Sequence, residues 1–198
     1  MILSILKRAF ILLVLFSLIS CIDINGVNVF PNRKDKGVIS ATLNGDQFEV
    51  ESGKGILASE FVVSEMKNRD DYFLLTIYGI RVKDGGKALA FGFKIAGINL
   101  EELARGSKFS EWNLIKNSEV NFEGAMGAVE MRKSVKSEGH LYQASSNHTG
   151  EMELIITDID VNKKLISGRF SFTALDEVNG TLIEVENGTF DNIKWKWI

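Results

Sequence analysis

Residues 151–190 read EMELIITDIDVNKKLISGRFSFTALDEVNGTLIEVENGTF, and the alternation inside this block decides the fold class. Met152, Leu154 and Ile156 alternate with Glu151, Glu153 and Ile155. Phe170, Phe172 and Ala174 alternate with Arg169, Ser171 and Thr173, and Ile183 and Val185 alternate with Glu184 and Glu186. A period of two is that of a strand with one face on a core and the other in water. Asp160-Val161-Asn162-Lys163-Lys164, Asp176-Glu177-Val178-Asn179-Gly180 and Asn187-Gly188 separate the runs with residues that tolerate the positive φ of tight turns. Three antiparallel strands are therefore predicted.

Toward the C-terminus the pattern continues through Phe190 to Ile198, where Ile193, Trp195 and Trp197 alternate with Lys194 and Lys196. This predicts a last strand with both indoles inward. The competing reading is an aromatic and basic patch on lipid headgroups, because Trp is enriched at membrane interfaces and Lys is drawn to anionic lipid.

Toward the N-terminus, Val38 to Leu43 reads as a first strand, turned by Asn44-Gly45 into Gln47 to Val50. Gly53 to Met66 suits either a strand around Phe61-Val62-Val63 or a short helix. Tyr72 to Val82, the turn Lys83-Asp84-Gly85-Gly86-Lys87 and Ala88 to Ile95 form a central hairpin rich in aromatic and β-branched residues. Asn99 to Arg105 predicts a two-turn helix: Asn99 is a cap, Glu102 stands at capping-box spacing, Gly106 closes it, and Leu100 and Leu103 face the sheet. Further strands are predicted at Lys108 to Leu114, Val120 to Phe122 and Ala128 to Arg132. The Ser-rich segment Ser134 to Gly150 reads as a long exposed loop.

The first residues are of another kind. Lys7 and Arg8 precede an apolar run from Ala9 to Ser17, followed by Leu18-Ile19-Ser20-Cys21, the layout of a secretory signal peptide. The run from Ala9 to Ile22 falls short of the roughly 20 residues a spanning helix needs. Leu18-Ile19-Ser20-Cys21 resembles a bacterial lipobox, a resemblance that implies cleavage between Ser20 and Cys21 and acylation of the Cys21 sulfur. Cys21 is the chain's one cysteine, so no intrachain disulfide is possible. One acyl chain holds a protein to a bilayer reversibly and two or more hold it stably, so a multiply acylated Cys21 would replace a membrane helix. Ile22 rather than Asp follows Cys21, which favours the outer membrane. The acidic cluster that resembles a surface-export tag in some Bacteroidetes lipoproteins is missing, which points to the periplasmic face. The expected organisation is a signal peptide at 1–20, lipidated Cys21 with a flexible Asn-, Asp-, Lys- and Gly-rich tether at 21–37, and one domain at 38–198.

With 198 residues, 45% hydrophobic and 25% charged, the chain has the composition of one globular domain. A net charge of −3 and a pI near 5.5, with lysines and arginines dispersed, give no reason to expect nucleic acid.

The order of these signals resembles a family of uncharacterised Bacteroidetes lipoproteins. The residues that carry the resemblance are Ala41-Thr42-Leu43-Asn44-Gly45, Ile155-Ile156-Thr157-Asp158-Ile159-Asp160, Ser167-Gly168-Arg169-Phe170-Ser171-Phe172-Thr173-Ala174 and Asn187-Gly188-Thr189-Phe190. The match implies an all-β lipoprotein and carries over no catalytic residue.

Motifs of chemistry are few. Asp158, Asp160 and Asn162 have the spacing of the first half of a calcium loop, but Lys163 and Arg169 stand where Gly and Glu are needed, so a hairpin turn is predicted. His140 and His148 could share a zinc only with ligands the sequence does not offer, and are read as solvated loop residues. Neither a Gly-x-Ser-x-Gly elbow nor a phosphate loop occurs. Glu151 with Glu153, and Asp158 with Asp160, would share strand faces as acid pairs. The expectation is an all-β fold, an antiparallel β-sandwich or flattened barrel of about eight to ten strands with one short helix. It takes no cofactor or metal and is not an enzyme. Its partners are the lipid bilayer through acylated Cys21, and a glycan, peptide or envelope protein bound through its loops. The alternatives are a barrel carrying an apolar ligand or lipid among its 13 phenylalanines, and a carboxylate-dependent glycoside hydrolase.

Overall fold

A computed structural model describes residues 37–52, 60–69, 72–114, 122–134 and 139–198. The fold is all-β. Thirteen strands are described. Ten have six residues or more: β1 Val38–Leu43, β2 Asp46–Glu51, β3 Glu60–Arg69, β4 Tyr72–Val82, β5 Ala88–Gly97, β8 Phe122–Arg132, β9 His140–Ser145, β10 Met152–Asp160, β11 Leu165–Asp176 and β12 Thr181–Lys194. The remaining three, β6 Lys108–Phe109, β7 Asn113–Leu114 and β13 Lys196–Trp197, have two residues each. Their order across the sheet is β13-β3-β4-β5-β8-β9-β11-β12-β1-β2, with β10 and β6 laid on β11 and β7 on the start of β8. All pairings are antiparallel except β13 with β3. No helix of the described residues is long and apolar enough to cross a membrane.

The sheet curls until its two ends meet. A Cβ added to Gly79 in β4 would lie 2.5 Å from the Ile39 side chain and 3.2 Å from Val50 Cβ, so β1 and β2 lie directly over β4. Beyond β12, Trp195 carries the chain across to β13, which pairs with β3. Inside lie the alternate residues of every long strand: Ile39, Phe48, Leu75, Phe91, Val129, Leu154, Phe172 and Val185 are all under 5% exposed. Phenylalanine rings fill the centre, with Phe93 5.0 Å from Phe170 and from Phe190, and Phe48 edge-on to Phe91 at 4.9 Å.

One end of the sheet is buried on both faces. The outer faces of β3, β4, β5 and β8 form a second apolar cluster of Phe61, Tyr78, Ile80, Ala90, Met126 and Ala128, with Trp112 packed against it. This is why Tyr72 to Val82 reads as a continuous apolar run rather than an alternating one.

Several expectations hold and several need correction. The Asn44-Gly45 turn is as read, with φ of 48° and 88°, and β4 has the predicted bounds. The ambiguous segment resolves as β3 over its described part, residues 60–66. The predicted helix at Asn99 is one 3-10 turn, Leu100–Glu102. Its cap is right, since Asn99 Oδ1 accepts from Glu101 N–H at 3.0 Å, and Leu100 and Leu103 are buried. It ends early because Gly106 N–H donates to the Ile156 carbonyl at 2.8 Å, drawing the chain into β6 beside β10. Ser134 to Gly150 is not wholly a loop: it contains β9, whose Ala144 and Ser145 are buried. Asn187-Gly188 is not a turn between strands but a bulge inside β12, with Asn187 at φ 51°. Two residues there face Ser171 alone, and a second shift near Asn192 follows. Each shift reverses side-chain parity, which keeps Phe190 and Ile193 inward after Ile183 and Val185.

Candidate functional site

At one end of the curled sheet, strands that are distant in sequence enclose an open cleft of about 440 Å³. Its floor is apolar, from Leu43, Phe48, Leu89, Met131 and Ile183, and its rim is polar, from Asn44, Asp46, Gln47, Lys83, Tyr142 and Thr181. The apolar residues of the floor are the buried ends of core side chains, so a ligand entering the cleft would meet mainly the polar rim.

The rim is held in place. Asn44 Oδ1 accepts from Glu184 N–H at 2.7 Å, tying the β1–β2 turn to β12, and Gln47 Nε2 donates to Thr42 Oγ1 at 2.8 Å. Behind Tyr142, the buried Asp176 carboxylate accepts from the N–H groups of Gln143 at 3.1 Å and Val178 at 2.9 Å, and from Asn179 Nδ2 at 2.8 Å. Burial pushes the Asp176 carboxyl up, but these hydrogen bonds outweigh it and hold the group below its ordinary value. Burial raises the Tyr142 hydroxyl further above its ordinary value, and at neutral pH it is a donor as any tyrosine is.

Arg81 walls the cleft on the side where the sheet ends meet. Its guanidinium carbon lies 4.4 Å above the Phe48 ring centre, its Nη2 donates to the Glu49 carbonyl, and its Nε lies 3.2 Å from Glu60 Oε1. That last contact is an ion pair too misaligned to be a hydrogen bond. Glu60 Oε2 in turn accepts from Glu51 N–H at 3.3 Å. Among the described residues β2 ends the strand order, and two of its backbone groups, the Glu49 carbonyl and the Glu51 N–H, are met by side chains rather than by a neighbouring strand.

The sequence-predicted residues fall elsewhere. Ser20 and Cys21 lie outside the described residues. His140 and His148 are not brought together: His140 opens β9 and His148 ends the 3-10 turn after it, with about 17 Å of strand between. Each has its own glutamate, Glu130 Oε1 at 2.6 Å from His140 Nδ1 and Glu177 Oε1 at 3.1 Å from His148 Nδ1. Asp160 accepts from Lys163 N–H and pairs with Lys163 Nζ, both at 2.9 Å, as a hairpin turn requires. Among the described residues no group of three or more His, Cys, Asp or Glu is placed to hold a metal ion. Glu151 and Glu153 line a shallow groove with Ser171, Thr173, Glu184 and Glu186 on the outer face of β10, β11 and β12, where both are exposed to water.

Sequence reasoning missed one cluster. Glu130 is 1% exposed, and its Oε1 takes both Arg132 Nε and His140 Nδ1 while its Oε2 is buried without a hydrogen bond. The signal was the alternation Met126, Ala128, Glu130, Arg132, which puts two charges on the same buried outer face as Ala90. The cleft had no such signal, because its walls come from separate parts of the chain, the Asn44-Gly45 turn, the β4–β5 and β8–β9 hairpins, and the start of β12, which only the curled sheet brings together. Comparison of the chain with family models, with curated proteins and with solved structures found no match.

Proposed function

We propose that the chain is an envelope lipoprotein, tethered to the outer membrane through acylated Cys21, whose β-domain binds a small ligand or peptide without catalysis at the open end of the curled sheet. The observation that carries the binding part is the cleft, with its floor of Phe48, Leu89 and Ile183 and its rim anchored by Asn44 and Asp176. Support for the anchor part is the lipobox-like Leu18-Ile19-Ser20-Cys21 behind an apolar run of signal-peptide length. Loops and turns on a rigid β-scaffold are where such binding normally resides. A barrel that encloses its ligand has less in its favour, because contacting Phe rings fill the middle of the domain.

The test is native mass spectrometry of protein purified from envelopes, wild type beside Thr181→Arg. Thr181 stands half-buried on the rim, and an arginine there would fill the cleft without entering the core. A bound species present on the wild type and absent from the variant, at unchanged thermal midpoint, is the expected result. A species retained equally by both would place binding outside the cleft and reject the reading.

A further inference from the structure

Trp195 and Trp197 part company in the fold. Trp195 is 1% exposed in the core, whereas Trp197 is 42% exposed and Ile198 71%. The two indoles meet edge to face at 6.3 Å, so Trp197 is the outward extension of a ring fixed in the core. One lysine lies against its ring and two more are close to it in the chain. Lys164, at the β10–β11 turn, places its ammonium 6.0 Å from the Trp197 ring centre, and its carbonyl accepts from Trp195 N–H at 3.1 Å. Lys194 is exposed at the end of β12 opposite Leu165, and Lys196 is exposed in β13 opposite Glu65. Val161, 45% exposed, adds apolar surface on the same turn, while Lys163 is engaged by Asp160.

On a chain of net charge −3, an exposed Trp-Ile pair with Lys164 against the ring and Lys194 and Lys196 in the same stretch of chain, where Glu65 faces Lys196 and Asp160 is taken by Lys163, is a local excess of positive charge. Indole at headgroup depth beside lysine is the chemistry of an anionic bilayer surface. A second observation is independent of charge. A Cβ on Gly37 would lie 2.8 Å from Ile193 Cδ1 and 3.6 Å from the Asn192 carbonyl, and Ile193 directly precedes Lys194. Gly37, the first described residue on the Cys21 side of the domain, therefore lies beside this patch.

The geometry points to Trp197, Ile198, Lys164, Lys194 and Lys196 as a docking surface for anionic lipid headgroups, one that turns this corner of the domain toward the bilayer. The inference rests on the anchor reading for its setting. Residues 21–36 could span at most about 50 Å, and the patch would set which side of the domain faces the surface within that reach.

The experiment uses the chain from residue 21 onward with Cys21→Ser, so that no acyl chain contributes, mixed with vesicles of phosphatidylcholine alone or with about one-third phosphatidylglycerol. Co-sedimentation with the anionic vesicles only, a blue shift of tryptophan emission, and loss of binding near 0.5 M salt are expected, because the Debye length is then about 4 Å. Each lysine is expected to contribute about fivefold in affinity, so Lys164→Gln, Lys194→Gln and Lys196→Gln together should weaken binding about a hundredfold at unchanged thermal midpoint. Trp197→Ala should abolish the blue shift. Absence of binding to anionic vesicles, or equal binding by the variants, would overturn the patch. The acylation state of wild-type Cys21 is read separately by mass, so failure of the anchor and failure of the patch give different results.

Discussion

Phe170→Ala is expected to cost about 4 kcal/mol of stability. Phe170 is 4% exposed and lies 5.0 Å from Phe93, 6.2 Å from Phe91, 6.1 Å from Phe172 and 6.3 Å from Phe190, centre to centre. Truncating a buried phenylalanine costs about 3–5 kcal/mol where the surroundings cannot collapse, and each lost ring contact adds to the removed area. Here four neighbouring rings stand on three strands, β5, β11 and β12, fixed by ladders, so the site cannot close and the upper half of that range applies. For a domain of this size each kcal/mol moves the thermal midpoint by about 2–4 °C, which gives a fall of roughly 8–16 °C. Urea and thermal denaturation followed by near-UV circular dichroism would measure it, with Val178→Ser, at a position 91% exposed, as a control expected within about 0.5 kcal/mol of wild type. A loss below about 1 kcal/mol would refute the reasoning, because it would mean a loosely filled interior of the kind a ligand-enclosing barrel needs.

Two further substitutions test the supports of the cleft and the buried charges. Asp176→Asn is expected to cost about 1–3 kcal/mol at pH 7, since the carboxylate gathers several N–H donors at the base of the rim. Its folded-state pKa is depressed, so its contribution is complete above the unfolded value near 4 and disappears as pH falls through the folded value; the gap between wild type and variant in urea midpoint should close below about pH 4. Glu130→Leu should cost about 3–5 kcal/mol by leaving Arg132 buried without its carboxylate, and Glu130→Leu with Arg132→Met should cost clearly less than the sum of the single changes in a double-mutant cycle.

Local chemistry made the strands and most turns legible in the sequence. Gly85 and Gly86, at φ 79° and 80°, mark the end of β4, and Asn44-Gly45 marks the first hairpin. Asn187-Gly188 was misread because a turn and a bulge ask for the same positive φ; which one forms is decided by the register against β11, and a Cβ on Gly188 would lie 2.5 Å from the Phe170 carbonyl. The helix at Asn99 was misread in length and not in start, since its cap is local but its end is set by the pairing of Gly106 with Ile156. The polar segment hid β9 because serines at its end are buried: Ser145 closes the strand at 4% exposed, and Ser146 just beyond it, 2% exposed, is satisfied by a distant group, its hydroxyl accepting from Gly127 N–H at 2.9 Å. Composition cannot distinguish such a serine from a solvated one. The cleft was out of reach for a related reason: Leu43, Arg81, Met131, Tyr142 and Ile183 meet only after the sheet has curled.

The functional account depends on the sulfur of Cys21, and intact-mass analysis of the chain extracted from membranes tests it directly. A polypeptide that begins at Cys21 and carries a diacylglyceryl thioether is expected, with Cys21→Ser either released from the membrane fraction or left as the uncleaved precursor. A mature chain with an unmodified Cys21 thiol, or Cys21→Ser processed and retained like wild type, would contradict the account.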